Sequence, residues 1–155
     1  MLTGKTNEEK IWNYLTAAGL NACGAAGLMG NLYAESALSP INLQNTFEKK
    51  LGYTDAAYTA AVDSGAYDSF VRDSAGYGLA QWTYWSRKKN LLDYAKSRGK
   101  SIGDLEMQLD FLMKELSGGY RAVLEVLRTA TSVRTASDAG LLQFERPADQ
   151  SAAVQ

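Results

Sequence analysis

The sequence predicts an all-α domain, or an α domain with one minor hairpin, on three observations. Apolar residues recur at spacings of three and four along most of the chain. Helix-capping residue types stand just ahead of those periodic stretches. Only residues 66–83, "AYDSFVRDSAGYGLAQWT", are aromatic and glycine-containing without a helical period, and they read as a loop or short hairpin.

Taken in order, Asn7, Glu8 and Glu9 open a first helix with Ile11, Trp12 and Leu15 on one side, ending near Gly19. Asn21 is placed to cap a second, running from Ala22 to about Ser36, because Pro40 disfavours helical geometry at Ser39. Gly24, Gly27 and Gly30 fall inside it, each costing about 1 kcal/mol against alanine. Their spacing leaves a bare track that a backbone or a ligand can approach closely. Short helices follow Asn45 and Thr54. Residues 84–98 form another, with Gly99 as its left-handed terminator. Ser101 and Asp104 resemble a capping box for a helix whose stripe is Leu105, Leu109, Leu112, Met113 and Leu116. Gly118 and Gly119 break it. Tyr120, Val123, Leu124 and Leu127 mark one more helix, and Ser132 caps the last, which closes at "FERP". Residues 1–147 are thus expected as one domain and 148–155 as a linker-like tail.

Composition bounds the chemistry. The 155 residues carry a net charge of −1, which argues against a nucleic-acid partner, since phosphate neutralisation needs a basic surplus. Arg87, Lys88, Lys89, Lys96, Arg98 and Lys100, interrupted by Asp93, form a local excess. That run reads as a solvated helix face, with attraction to an anionic polymer as the functional alternative. No apolar run is long enough to span a bilayer, and the N-terminus has no pattern of a secretory signal peptide. No membrane partner is expected. With no histidine and one cysteine, Cys23, neither a Ser-His-Asp or Cys-His pair nor a His/Cys zinc site can be built. No metal and no cofactor is expected, and carboxylates are the leading candidates for chemistry.

Three carboxylates resist a purely structural explanation: Glu35, Asp73 and Glu145. Glu35 shares a helical face with Leu28 and Leu32 and lies at the negative end of its helix dipole. Desolvation and dipole both raise its pKa, as a general acid working near neutrality requires. The structural alternative is a partly buried glutamate paired with an arginine. Asp73 precedes Ser74-Ala75-Gly76-Tyr77-Gly78, where it suits either a turn or a site at which glycine admits a ligand. Glu145 can equally pair with Arg146. Tyr67, Phe70, Tyr77, Trp82, Tyr84 and Trp85 crowd the loop. About half are expected in the core, and the rest, with Gln81, suit sugar rings.

The stretches "AAGLMGNLYAES", "GYGLAQWTYWSRKKNLLDYAK", "QLDFLMKEL" and "FERP" together resemble the phage tail lysozyme family, of the lysozyme-like superfamily of peptidoglycan glycosidases, over residues 11–147. They are also similar to the E-S and G-L-M-Q arrangement of soluble lytic transglycosylases and goose-type lysozymes. The resemblance implies a lysozyme-like fold with an active-site cleft and cleavage of peptidoglycan glycan strands. It implies Glu35 as the catalytic acid and Ser36 as its hydrogen-bonding neighbour. Tyr77, Gly78, Leu79, Ala80, Gln81 and Trp82 are implied as the substrate-lining segment. Ala80 stands where the transglycosylases carry methionine, so both a muramidase and a transglycosylase forming anhydro-muramic ends stay open. Asp73 is the candidate second carboxylate. A non-catalytic glycan-binding tail or baseplate module is the rival class, and a peptidoglycan amidase or endopeptidase is the third, with the missing histidine arguing against its zinc and Cys-His versions. The expected setting is a phage tail or a released lysin at the bacterial wall, with tail proteins or a wall-binding domain as partners.

Overall fold

The computed structural model describes residues 2–140, so Glu145, the "FERP" closure and the expected tail lie outside the described residues. Among the described residues there are eight helices and no sheet: α1 (Asn7–Ala17), α2 (Ala22–Ser36), α3 (Asn45–Leu51), α4 (Asp55–Ser64), α5 (Trp85–Ser97), α6 (Leu105–Ser117), α7 (Arg121–Thr129) and α8 (Val133–Ala139). The architecture is all-α. The β content is two isolated antiparallel bridges, Leu43 with Tyr77 and Tyr77 with Trp82, which is the expected small hairpin in minimal form. No described helix is long and apolar enough to cross a membrane.

Capping explains most boundaries. The Thr6 hydroxyl accepts from Glu9 N, Asn21 Oδ1 from Gly24 N at 2.8 Å, Thr54 from Ala57 N, and Ser132 from Thr135 N. Gly52, Gly65 and Gly99 have positive φ where α3, α4 and α5 end. One boundary differs from expectation. Asp104, rather than Ser101, caps α6, accepting from Met107 N at 2.9 Å. Ser101 instead donates to Asp63, whose other oxygen takes the Ile102 amide. An aspartate directly ahead of the periodic stretch has the shorter reach to those orphan amides.

The chain divides into two compact units, and it passes from one to the other within α2 and again within α6. The first comprises residues 2–34 and 112–140. Here the glycine track has its reason. A Cβ on Gly24 would stand 1.6 Å from the Leu127 carbonyl oxygen, and one on Gly27 would collide with Ala136 and the Ser137 amide. The α2 backbone thus lies directly against the end of α7 and against α8, and Asn21 and Asn31 bond across to Ala130 O and Ser137 O. Among the described residues Gly30 meets nothing within 4 Å, so packing among them explains two of the three glycines.

The second unit, Glu35–Phe111, contains Glu35 and every expected substrate-lining residue. Its core is aromatic: Tyr58, Phe70 and Tyr77 stack with ring centroids 5.5–6.0 Å apart, and Trp82 meets Phe111 edge to face.

Candidate functional site

Glu35 is the penultimate residue of α2. It is half-buried, and among the described residues its carboxyl makes no hydrogen bond or ion pair. Burial pushes that carboxyl above the ordinary glutamate range. The arginine partner of the structural alternative is therefore not found among the described residues. Immediately after the helix, Ala37 (φ 53°) and Leu38 (φ 64°) both occupy the left-handed region, where a non-glycine residue costs about 1–3 kcal/mol. Such a turn persists only where its surroundings hold it. Here Ser39 N and Asn42 Nδ2 both donate to the Ser36 carbonyl, at 3.0 and 3.3 Å.

Next to Glu35, Ser36 is buried and its hydroxyl donates to Leu79 O at 2.8 Å, tying the helix end to the hairpin loop. The Leu79 amide in turn donates to Gln108 Oε1 at 3.0 Å. The Gln108 amide group donates to Pro40 O and Ile102 O, both at 2.7 Å. One fully buried side chain thus joins the segment after Glu35, the loop and the turn before α6. Its signal was visible: Gln108 sits on the same helical stripe as Leu105 and Leu112, a polar residue at an apolar position.

The loop residues mostly face inward. Tyr77, Leu79, Ala80 and Trp82 are buried, as is Gly78, leaving Gln81 as the half-exposed member. Tyr77 shares a 2.5 Å hydrogen bond with the Thr59 hydroxyl, and burial pushes its own hydroxyl up, so it stays protonated. Gln81 (φ 50°) turns its Nε2 onto Asn42 O and Gly78 O, at 2.8 and 3.1 Å. The structure therefore links Ser36, the neighbour of Glu35 in sequence, to Leu79 directly and to Gly78 and Gln81 through Asn42. Tyr77 and Trp82 go to the core.

Asp73 is elsewhere in the network. Its side chain is 4% exposed, and Oδ1 accepts from Lys88 Nζ and from Ala75 N, while Oδ2 accepts from Tyr58 and Tyr67 hydroxyls at 2.6 and 2.7 Å. The Ala75 contact is the turn that the sequence allowed, with Ser74 at φ 61°. Burial first, and Asp73 second, push both tyrosine hydroxyls up, keeping them as donors. Lys88 corrects the reading of residues 87–100 as a solvated face. It is 0% exposed, donates also to Ala75 O at 2.8 Å, and lies 4.2 Å from the Phe70 ring centroid. Burial pushes its ammonium down, and Asp73 opposes that shift. The signal was its spacing of three and seven from Leu91 and Ala95, the buried face of α5.

A separate pocket of about 640 Å³ is lined by residues including Ile41, Glu48, Tyr53 and Asp55, and by neither Glu35 nor residues 77–82. A hydrogen bond to Asp55, and then the like charge of that carboxylate, push the exposed Glu48 carboxyl up.

Compared with known families, residues 6–155 match the phage tail lysozyme family. The chain belongs to that family. Membership in the phage tail lysozymes carries a lysozyme-like, peptidoglycan-degrading role, and in this member the lone carboxyl at the end of α2 is joined to the hairpin loop through Ser36.

Proposed function

We propose that the protein cleaves the glycan strands of peptidoglycan between N-acetylmuramic acid and N-acetylglucosamine, with Glu35 as general acid. The observation that carries this reading is the Glu35 carboxyl itself: half-buried, held above the ordinary range by that burial, and without a partner among the described residues. It donates its proton to the glycosidic oxygen as the bond to the anomeric carbon breaks, and an oxocarbenium-like centre develops. Ser36, Asn42 and Gln108 position the Glu35 turn and the loop backbone against each other.

Asp73 supports a holding role rather than activation of water, because both its oxygens already accept two hydrogen bonds each. That occupancy favours completion by the substrate itself. Either the N-acetyl oxygen attacks the anomeric carbon and water later opens the ring, or the 6-hydroxyl attacks and Glu35 takes its proton. The first leaves a reducing muramic end and the second an anhydro end. The action belongs at the bacterial wall, delivered by a phage tail or as a released lysin.

Digestion of purified peptidoglycan with mass spectrometry of the products tests this. Reducing or anhydro muramic ends that disappear with Glu35→Gln are expected. Equal activity in the folded variant would remove Glu35 from the mechanism, and binding to sacculi without cleavage by the native chain would identify a glycan-binding module instead.

A further inference from the structure

Of the six aromatic residues between 67 and 85, the two that close the segment are turned outward. Tyr84 is 64% exposed and Trp85 56%, whereas Phe70, Tyr77 and Trp82 are buried. Their rings lie side by side, with centroids 6.2 Å apart and planes tilted by 37°. Two large adjoining rings at the surface keep apolar area in water that a core position would have removed.

The backbone that carries the pair is also anchored. Lys88, one turn further along α5, is anchored through Asp73 and Ala75 O, and its own amide donates to Tyr84 O at 3.0 Å. On the other side, Thr83 Oγ1 donates to Gln81 O at 2.8 Å. Tyr84 and Trp85 stand five and six positions from Leu79, whose carbonyl is bonded to Ser36, so the pair lies at most roughly 22 Å along the chain from that contact. That is a span of a few pyranose rings.

We propose that Tyr84 and Trp85 form a stacking subsite for amino-sugar rings of the same glycan strand, outside the reacting bond. Each ring offers a rigid apolar face to a pyranose, at little cost in side-chain freedom. The inference rests on the glycan-cleaving reading, and its test is read on binding so that the two fail separately.

The test uses Glu35→Gln protein and soluble, peptide-stripped glycan strands, with affinity measured by calorimetry. Tyr84→Ala and Trp85→Ala are each expected to weaken binding roughly tenfold, and the double variant more, while Trp85→Phe retains most of it. In the active background the same changes raise KM for long strands and leave kcat unchanged. Undiminished binding by the folded double variant overturns the subsite, as does absence of binding by the Glu35→Gln parent. A dimer of the parent that Trp85→Ala dissociates overturns it too, by making the pair a self-association surface. Full activity of Glu35→Gln would sink the Glu35 reading alone, and the subsite is then read from the KM of the ring variants in active protein.

Discussion

The Glu35 carboxyl and the Gln108 amide are opposite solutions to burying a polar side chain. Glu35 has no partner among the described residues, so burial acts on its proton. A folded value raised above the unfolded one means the folded state binds the extra proton, and stability is lost as pH rises through that interval. Glu35→Gln is therefore expected to melt higher than the native chain at neutrality, with no gain in acid, in paired thermal melts. The same variant should lose at least about a hundredfold in kcat. The native kcat should hold to a higher pH than an ordinary glutamate allows, then fall as Glu35 ionises, in a pH–rate profile. Gln108 instead has three backbone partners. Gln108→Leu strands the Leu79 amide and the carbonyls of Pro40 and Ile102, at about 3 kcal/mol or more by denaturant unfolding. Glu35 was legible from its place at a helix end. Gln108 was present on the apolar stripe of α6, but nothing local says which distant groups it joins.

At the scale of elements, α2 and α5 each carry an oddity that packing resolves. The glycines of α2 divide by what they face, so two substitutions of the same kind should have opposite signs. Gly24→Ala drives a methyl into the Leu127 carbonyl and is expected to cost about 3 kcal/mol or more. Gly30→Ala meets nothing within 4 Å among the described residues and should stabilise by about 0.5–1 kcal/mol, both read from chemical denaturation. In α5 the Lys88–Asp73 pair ties the helix to the turn that begins the loop. Removing one partner leaves a buried charge, so Lys88→Met or Asp73→Asn alone should cost about 3–5 kcal/mol. The double variant should lose clearly less than the sum, and a double-mutant cycle measures the difference. Cap residues and periodicity made the helices themselves legible, although α6 starts at Leu105 rather than just after Ser101, and the expected close of the last helix lies outside the described residues. Ser101 is not the cap: its hydroxyl donates to Asp63, 38 positions away, and accepts from the Gly103 amide in the turn ahead of the helix.

At the scale of the molecule, α2 and α6 each continue from one compact unit into the other. Neither unit can melt without unravelling a helix that the other needs, so one cooperative transition is expected. Gly24→Ala and Gln108→Leu, one in each unit, should lower the same Tm by circular dichroism, whereas two separated transitions would show that the units unfold independently. The sequence by itself determined the helical class, the caps, the carboxylate at the end of α2 and the exclusion of histidine chemistry. Those properties are carried by residue type and by spacings of three or four. Only the tertiary structure decided which aromatic rings of the loop face inward, that Lys88 is buried, and that Asp73 is occupied. Those outcomes depend on bonds between residues 15, 29 and 43 positions apart, Asp73 to Lys88, Leu79 to Gln108 and Ser36 to Leu79. A pairing over such separations forms only when the whole core closes around it, and no local pattern encodes it.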